Sequence, residues 1–314
     1  MGRKMDNLKK RFSKENMHRE FKEVIRDITK KDLFMLLLLP IIATIIELLP
    51  VDFQNVLKLN VQNPSWWQFL TSAFTHQSFK HYYGNIISFL IIAVVELLIV
   101  SKINMKRRYF YLLSATYVMF PIISSAYQVL YYPKLFPNMQ VSCGASGIIA
   151  AMIGFMPMIL MGYFSKEKGV KMVNLTLLLM STFYTGIMLL ITYAFLSSIA
   201  QISILSTLIL VLAYHYRNNF RYVIKAISDI SRNFFLYLLL FLLALLFITI
   251  PLALFPLVIR LENGSGVNVI VHYIGVIFGI YLSYLFFSNL GVEKQPFSYH
   301  FKPKTGRFLD RFRQ

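Results

Sequence analysis

The chain has 314 residues, of which 57% are apolar and 15% charged, and 32 Lys plus Arg against 14 Asp plus Glu give a net charge of +18. Soluble domains carry about 25% charged residues, and two water-soluble domains, the number this length suggests, could not bury so much apolar surface. Composition therefore excludes a soluble or disordered chain and leaves an all-α polytopic membrane protein, because hydrocarbon offers unpaired backbone groups no water.

Residues 1–32 form a cytoplasmic basic segment with 11 Lys and Arg. In it Leu8, Phe12, Phe21, Val24, Ile25 and Ile28 recur at roughly helical spacing. This predicts an amphipathic helix lying on an anionic lipid surface. No cleavable signal peptide is expected, since the first apolar run follows a long charged segment without a small-residue cleavage site.

Runs of about 20 apolar residues predict eight spans: Leu33–Leu49, Tyr82–Val100, Tyr109–Leu130, Gly144–Phe164, Val173–Phe195, Ser197–Tyr214, Phe234–Ile259 and Val267–Ser288. Of the 32 basic residues, 28 lie in the N-terminal segment, in Ser101–Arg108, Ser165–Lys171 and Arg217–Asn233, and in the tail 289–314. The alternate loops hold only Lys58, Lys80, Lys134 and Arg260. The positive-inside rule then puts both termini in the cytoplasm, and the charge serves orientation rather than nucleic acid. The external loop 50–80 carries Trp66 and Trp67 among many apolar residues, which predicts short helices partly sunk in the outer leaflet.

Polar groups inside spans are costly and mark function. Three clusters stand out. His81 and Asn85, four apart on one helix face, are two donors able to hold an oxyanion, or to join helices. Ser146, in Gly144-Ala-Ser-Gly147, is flanked by small residues that admit a close backbone. His272 precedes Gly275 and Gly279 on roughly one face, a spacing that permits tight helix packing. All three clusters fall at the outer ends of spans that run in the same direction. Ser and His together supply a nucleophile and a general base. The last span has no Asp or Glu, so a Ser–His dyad is the minimal reading. Cys143 can form no internal disulfide, and it reads as a small filler.

His76, His81 and Asn85, then Gly144-Ala-Ser146-Gly147 with Gly154, then His272-x-x-Gly275-x-x-x-Gly279 together resemble the rhomboid family of intramembrane serine proteases. The resemblance covers about residues 33–164 and 234–288. It implies a six-helix core, with an added helix pair within 165–233 to account for eight spans. It implies Ser146 as nucleophile, His272 as base, and an oxyanion hole of His81, Asn85 and the Ser146 N–H. It implies single-pass transmembrane protein substrates cut near the outer face, with helix 234–259 as the gate for their entry and no metal or cofactor. Four features depart from the family pattern: Gln68 replaces an Arg after Trp67, Ala150 replaces an aromatic residue, Glu96 follows Asn85 by eleven residues, and three spans separate Ser146 from His272. Two readings follow. One is an active protease of a multi-pass, prokaryotic plasma-membrane type. The other is an inactive relative that binds transmembrane clients.

Overall fold

The computed structural model describes residues 22, 25–135, 141–168, 241–242 and 268–287. The expected spans Val173–Phe195 and Ser197–Tyr214, nearly all of Phe234–Ile259, most of the N-terminal segment and the tail 289–314 lie outside the described residues. Among those residues the chain is helical apart from one two-stranded pairing.

Helix α1 spans Lys30–Glu47 and starts at a capping box: the Thr29 hydroxyl accepts the Asp32 N–H at 3.2 Å, and the Asp32 carboxylate accepts the Thr29 N–H at 2.8 Å. Such a reciprocal cap satisfies two N–H groups that the helix cannot pair internally. The Lys106 ammonium bridges to Asp32 at 3.0 Å, tying the start of α1 to the start of α5 (Lys106–Leu135). Partial burial pushes the Asp32 carboxyl up, but the Thr29 N–H, the Lys106 ammonium and the Thr29 hydroxyl together hold it below its usual range.

Two short helices, α2 (Val51–Leu57) and α3 (Gln68–Thr71), and a 3₁₀ turn (Ser72–Phe74) fill the loop after α1. Gln68 organises this loop from a buried position, 7% exposed. Its Oε1 accepts the Asn60 and Ser65 N–H groups at 3.1 Å, and its Nε2 donates to the Val56 carbonyl at 3.0 Å. Trp66 is 82% exposed, and Val51, Phe53 and Val56 are exposed as well.

Helix α4 (Phe79–Lys102) begins at Ser78, whose hydroxyl accepts the His81 N–H. Sequence put the next loop at Ser101–Arg108, but the connection is only a tight turn. Ser101 and Lys102 still belong to α4, and Lys106 already opens α5. The turn is possible because Asn104 takes φ 53°, a left-handed conformation that Asn tolerates better than most residues. The Met105 N–H closes the turn on the Val100 carbonyl at 2.8 Å.

Helix α6 (Ser146–Lys168) starts two residues later than the expected Gly144. Gly144 is at φ +125°, outside helical geometry and open only to a residue without Cβ. The last described helix, α7, covers Val269–Phe287. Among the described residues four helices are long and apolar enough to cross a membrane: Phe79–Lys102, Lys106–Lys134, Ser146–Tyr163 and Val269–Phe287. Helix α1 is charged at both ends, with Lys30, Lys31, Asp32 and Glu47.

Strand β1 (Leu59–Asn60) pairs antiparallel with β2 (Val141–Ser142), Leu59 opposite Ser142 and Asn60 opposite Val141. This pairing, absent from the sequence reading, clips the loop to the segment that leads into α6. Helix α6 lies at the centre of the bundle, against α4, α5 and most extensively α7. Its residues from Ile148 to Ile159 are almost all fully buried.

Candidate active site

The first component is the start of α6. The Gly144 N–H donates to the Ser72 carbonyl at 3.0 Å, and the Thr75 hydroxyl donates to the same carbonyl. The loop and β2 therefore hold the two residues before Ser146 from one side. From another side comes α4. A Cβ on Gly144 would lie 2.8 Å from His81 Cε1, 3.1 Å from His81 Nε2 and 3.7 Å from Asn85 Nδ2. The imidazole edge and the amide thus close over the backbone that enters Ser146. Asn85 is 8% exposed, and its Nδ2 is buried without a hydrogen-bond partner among the described residues. A buried donor normally finds an acceptor, so this amide is a donor left over beside Gly144, two residues before Ser146.

The third component is α7. His272 is 3% exposed, and its Nε2 lies 2.8 Å from Ser146 Oγ. With Nε2 unprotonated, the Ser146 hydroxyl donates to it, the arrangement from which a base removes the hydroxyl proton.

What holds two helices at this separation is a seam without side chains. A Cβ on Gly275 would sit 2.5 Å from the Gly147 carbonyl oxygen and 3.0 Å from the Ala150 Cβ. On Gly279 it would sit 1.9 Å from the Ala151 carbonyl oxygen, and on Gly154 2.3 Å from the Val276 carbonyl oxygen. Gly147 itself faces the Phe120 ring and Val271. Small residues allow such backbone contact where apolar solvent supplies no driving force between helices. The seam also accounts for Ala150, which is fully buried against Gly275: an aromatic ring there would have to enter the seam.

Three further residues singled out in the sequence sit around this centre. Neither ring nitrogen of His76 has a hydrogen-bond partner among the described residues. Its ring instead packs edge-on against His81 and Tyr82, with centroids 5.2 and 5.5 Å away. Burial, with a smaller contribution from the His81 charge, pushes the His76 pKa down to about 3, so the ring stays neutral. Cys143 is half-buried, and burial raises its thiol to about 11, which leaves little thiolate at neutral pH. Glu96 is fully buried within α4 and accepts the Tyr109 hydroxyl at 3.2 Å. It serves the α4–α5 contact rather than the Ser146 centre.

Residues 63–214 match the family model described as Rhomboid domain. The chain carries a rhomboid domain. The match supports a rhomboid-type intramembrane protease or a homologue of one, and together with the four apolar helices it points to a multi-pass membrane protein. The matched stretch includes His81, Asn85 and Ser146, runs through 173–214 and ends before His272. No curated protein and no solved structure matches the chain.

Proposed function

We propose that this rhomboid protein is an active intramembrane serine endopeptidase, and the observation that carries the reading is the 2.8 Å approach of Ser146 Oγ to His272 Nε2. As Oγ attacks the scissile carbonyl carbon, His272 Nε2 takes the hydroxyl proton. The resulting oxyanion is stabilised by His81, Asn85 and the Ser146 N–H. Donors preset at such a site strengthen only as charge develops, and each is worth about 10²–10³ in kcat. Collapse of the intermediate breaks the C–N bond, and the leaving amine takes the proton from His272. Water then gives a proton to His272 and attacks the Ser146 ester. The carboxylic acid leaves, and the proton returns to Oγ.

Substrates in this reading are single-pass transmembrane proteins, cut near the outer face in segments opened by small residues. Both termini are cytoplasmic, the membrane is a prokaryotic plasma membrane, and the exposed Trp66 with its apolar neighbours sits in the outer leaflet. The family's six-helix core is extended here by a helix pair in 165–233.

The test uses purified full-length protein in proteoliposomes, a fluorophosphonate probe and a fluorogenic single-span substrate. Wild type is labelled and cleaves, whereas Ser146→Ala and His272→Ala do neither. Asn85→Ala retains binding and loses about 10²–10³ in kcat. A folded, monodisperse wild type that neither labels nor cleaves would replace this reading with that of a client-binding homologue.

A further inference from the structure

The glycine seam sets how near α7 comes to α6. The seam begins at Gly275, after His272, so the first turn of α7, which aims His272, needs a constraint of its own. A second set of contacts supplies that constraint. Asn268 immediately precedes α7. Its Oδ1 accepts the Val271 N–H at 3.2 Å, and its carbonyl accepts the His272 N–H at 3.2 Å. It is therefore the N-cap of the turn that carries His272. Its Nδ2 donates to Gln128 Oε1 at 3.0 Å, and its Oδ1 also accepts the Tyr132 hydroxyl. Gln128 Nε2 in turn donates to the Ser124 carbonyl at 3.2 Å. Gln128 and Tyr132 are both buried on α5.

The direction of this chain of bonds is fixed at both ends. It begins at a backbone N–H, that of Val271, and finishes at a backbone carbonyl, that of Ser124, and neither can exchange donor for acceptor. The amides of Asn268 and Gln128 must then point one way only. Networks of this kind, half-buried at Asn268 and buried at Gln128 and Tyr132, rigidify the elements they join.

We propose that Asn268, tethered by Gln128 and Tyr132, is the positioning residue for His272. It fixes the rotation of the first turn of α7 so that Nε2 meets Ser146 Oγ. The inference rests on the reading of His272 as the base. It assigns to α5, which contributes nothing to the reacting groups, the task of aiming one of them.

The test measures kcat and KM per folded molecule in proteoliposomes, with Ser146→Ala as blank. Asn268→Ala is expected to lower kcat on the order of 10- to 100-fold at unchanged KM, the scale of a small misplacement of a reacting group. Asn268→Ser, which keeps the cap but drops the tether, recovers part of the loss. Gln128→Leu and Tyr132→Phe, which leave the cap in place, each lower kcat by about threefold or more. Tyr132→Phe added to Asn268→Ala costs nothing further, because both act through one group. A second readout does not depend on cleavage: the side-chain ¹⁵N–¹H signals of His272, assigned by their loss in His272→Ala and recorded in the Ser146→Ala background. Asn268→Ala shifts and broadens them. Unchanged His272 signals, or variants that lose thermal stability while keeping wild-type kcat, would overturn the proposal. An inactive wild type with shifted His272 signals would overturn the protease reading and leave the positioning intact.

Discussion

Helix α6 meets its two functional neighbours in opposite ways. Against α7 it presents backbone to backbone, so that a single added carbon on Gly279 would fall 1.9 Å from the Ala151 carbonyl oxygen. Toward α4 the approach is made by long side chains, His81 and Asn85 reaching the Gly144 backbone, while the glycine between them in sequence, Gly84, has nothing within 4 Å. The difference follows from what each contact must hold. A hydrogen bond between a short Ser side chain on one helix and a His on another tolerates little change in helix separation. Side chains as long as those of His and Asn span a wider gap, and their helix can be spaced less tightly.

Gly279→Ala attacks the close contact and has the largest expected effect. The new carbon forces α6 and α7 apart, at an overpacking cost of about 1–3 kcal/mol. Cleavage falls on the order of 100-fold or more as the Ser146–His272 bond lengthens. Thermal unfolding and turnover in the same detergent measure both; retained turnover would show that the seam does not set the separation of the pair.

Gly144→Ala attacks the side-chain contact. It places Cβ 2.8 Å from His81 Cε1 at φ +125°, a conformation that costs a non-glycine residue about 1–3 kcal/mol. If His81 is an oxyanion donor as proposed, its displacement lowers kcat about 100-fold. Fluorophosphonate labelling of Ser146 suffers less, because the pair with His272 is untouched. Equal loss of labelling and cleavage would mean that the two sides of α6 are not independent.

His76, behind His81, gives a pH-dependent test. Its folded pKa of about 3 lies below its unfolded value of 6.5. Between those values the unfolded chain binds the extra proton, so this group's contribution to stability is lost as pH falls from about 6.5 toward 3 and is absent as a penalty above about 7.5. Replacing it in His76→Phe flattens the stability profile over that window, as read from thermal midpoints at several pH values. An unchanged profile would show that His76 is not held neutral. The smallest effect on activity belongs to Gly84→Ala, which lies in open space inside α4, gains about 0.5–1 kcal/mol of helix stability and retains activity.

The described membrane helices were legible in sequence because an apolar run of spanning length leaves little choice of structure. Their ends were less so. The basic loop shrank to a turn because Asn104 takes a left-handed conformation, and the start of α6 moved to Ser146 because Gly144 does not join the helix. Neither event leaves a mark in hydropathy. At the site, the i, i+4 spacing of His81 and Asn85 is a property of one helix and can be read locally. The roles of Gln68, Asn268, Gln128 and Tyr132 are not local. Each lies in a stretch whose polarity looks ordinary, and only the folded arrangement shows that one amide organises a loop and another caps the turn before His272. The β1–β2 pairing was hidden for the same reason, since two residues on each side carry no periodicity.

The order of the parts along the chain has a consequence in time. His81, Asn85 and Gly144 are all made before Ser146, as are both strands of the β1–β2 clip. His272 comes 126 residues after Ser146. At about 5–20 residues per second, that is a delay of roughly 6–25 s during translation. On the proposed reading the nucleophile is thus made well before its base, and the pair can form only once Val269–Phe287 has followed into the membrane.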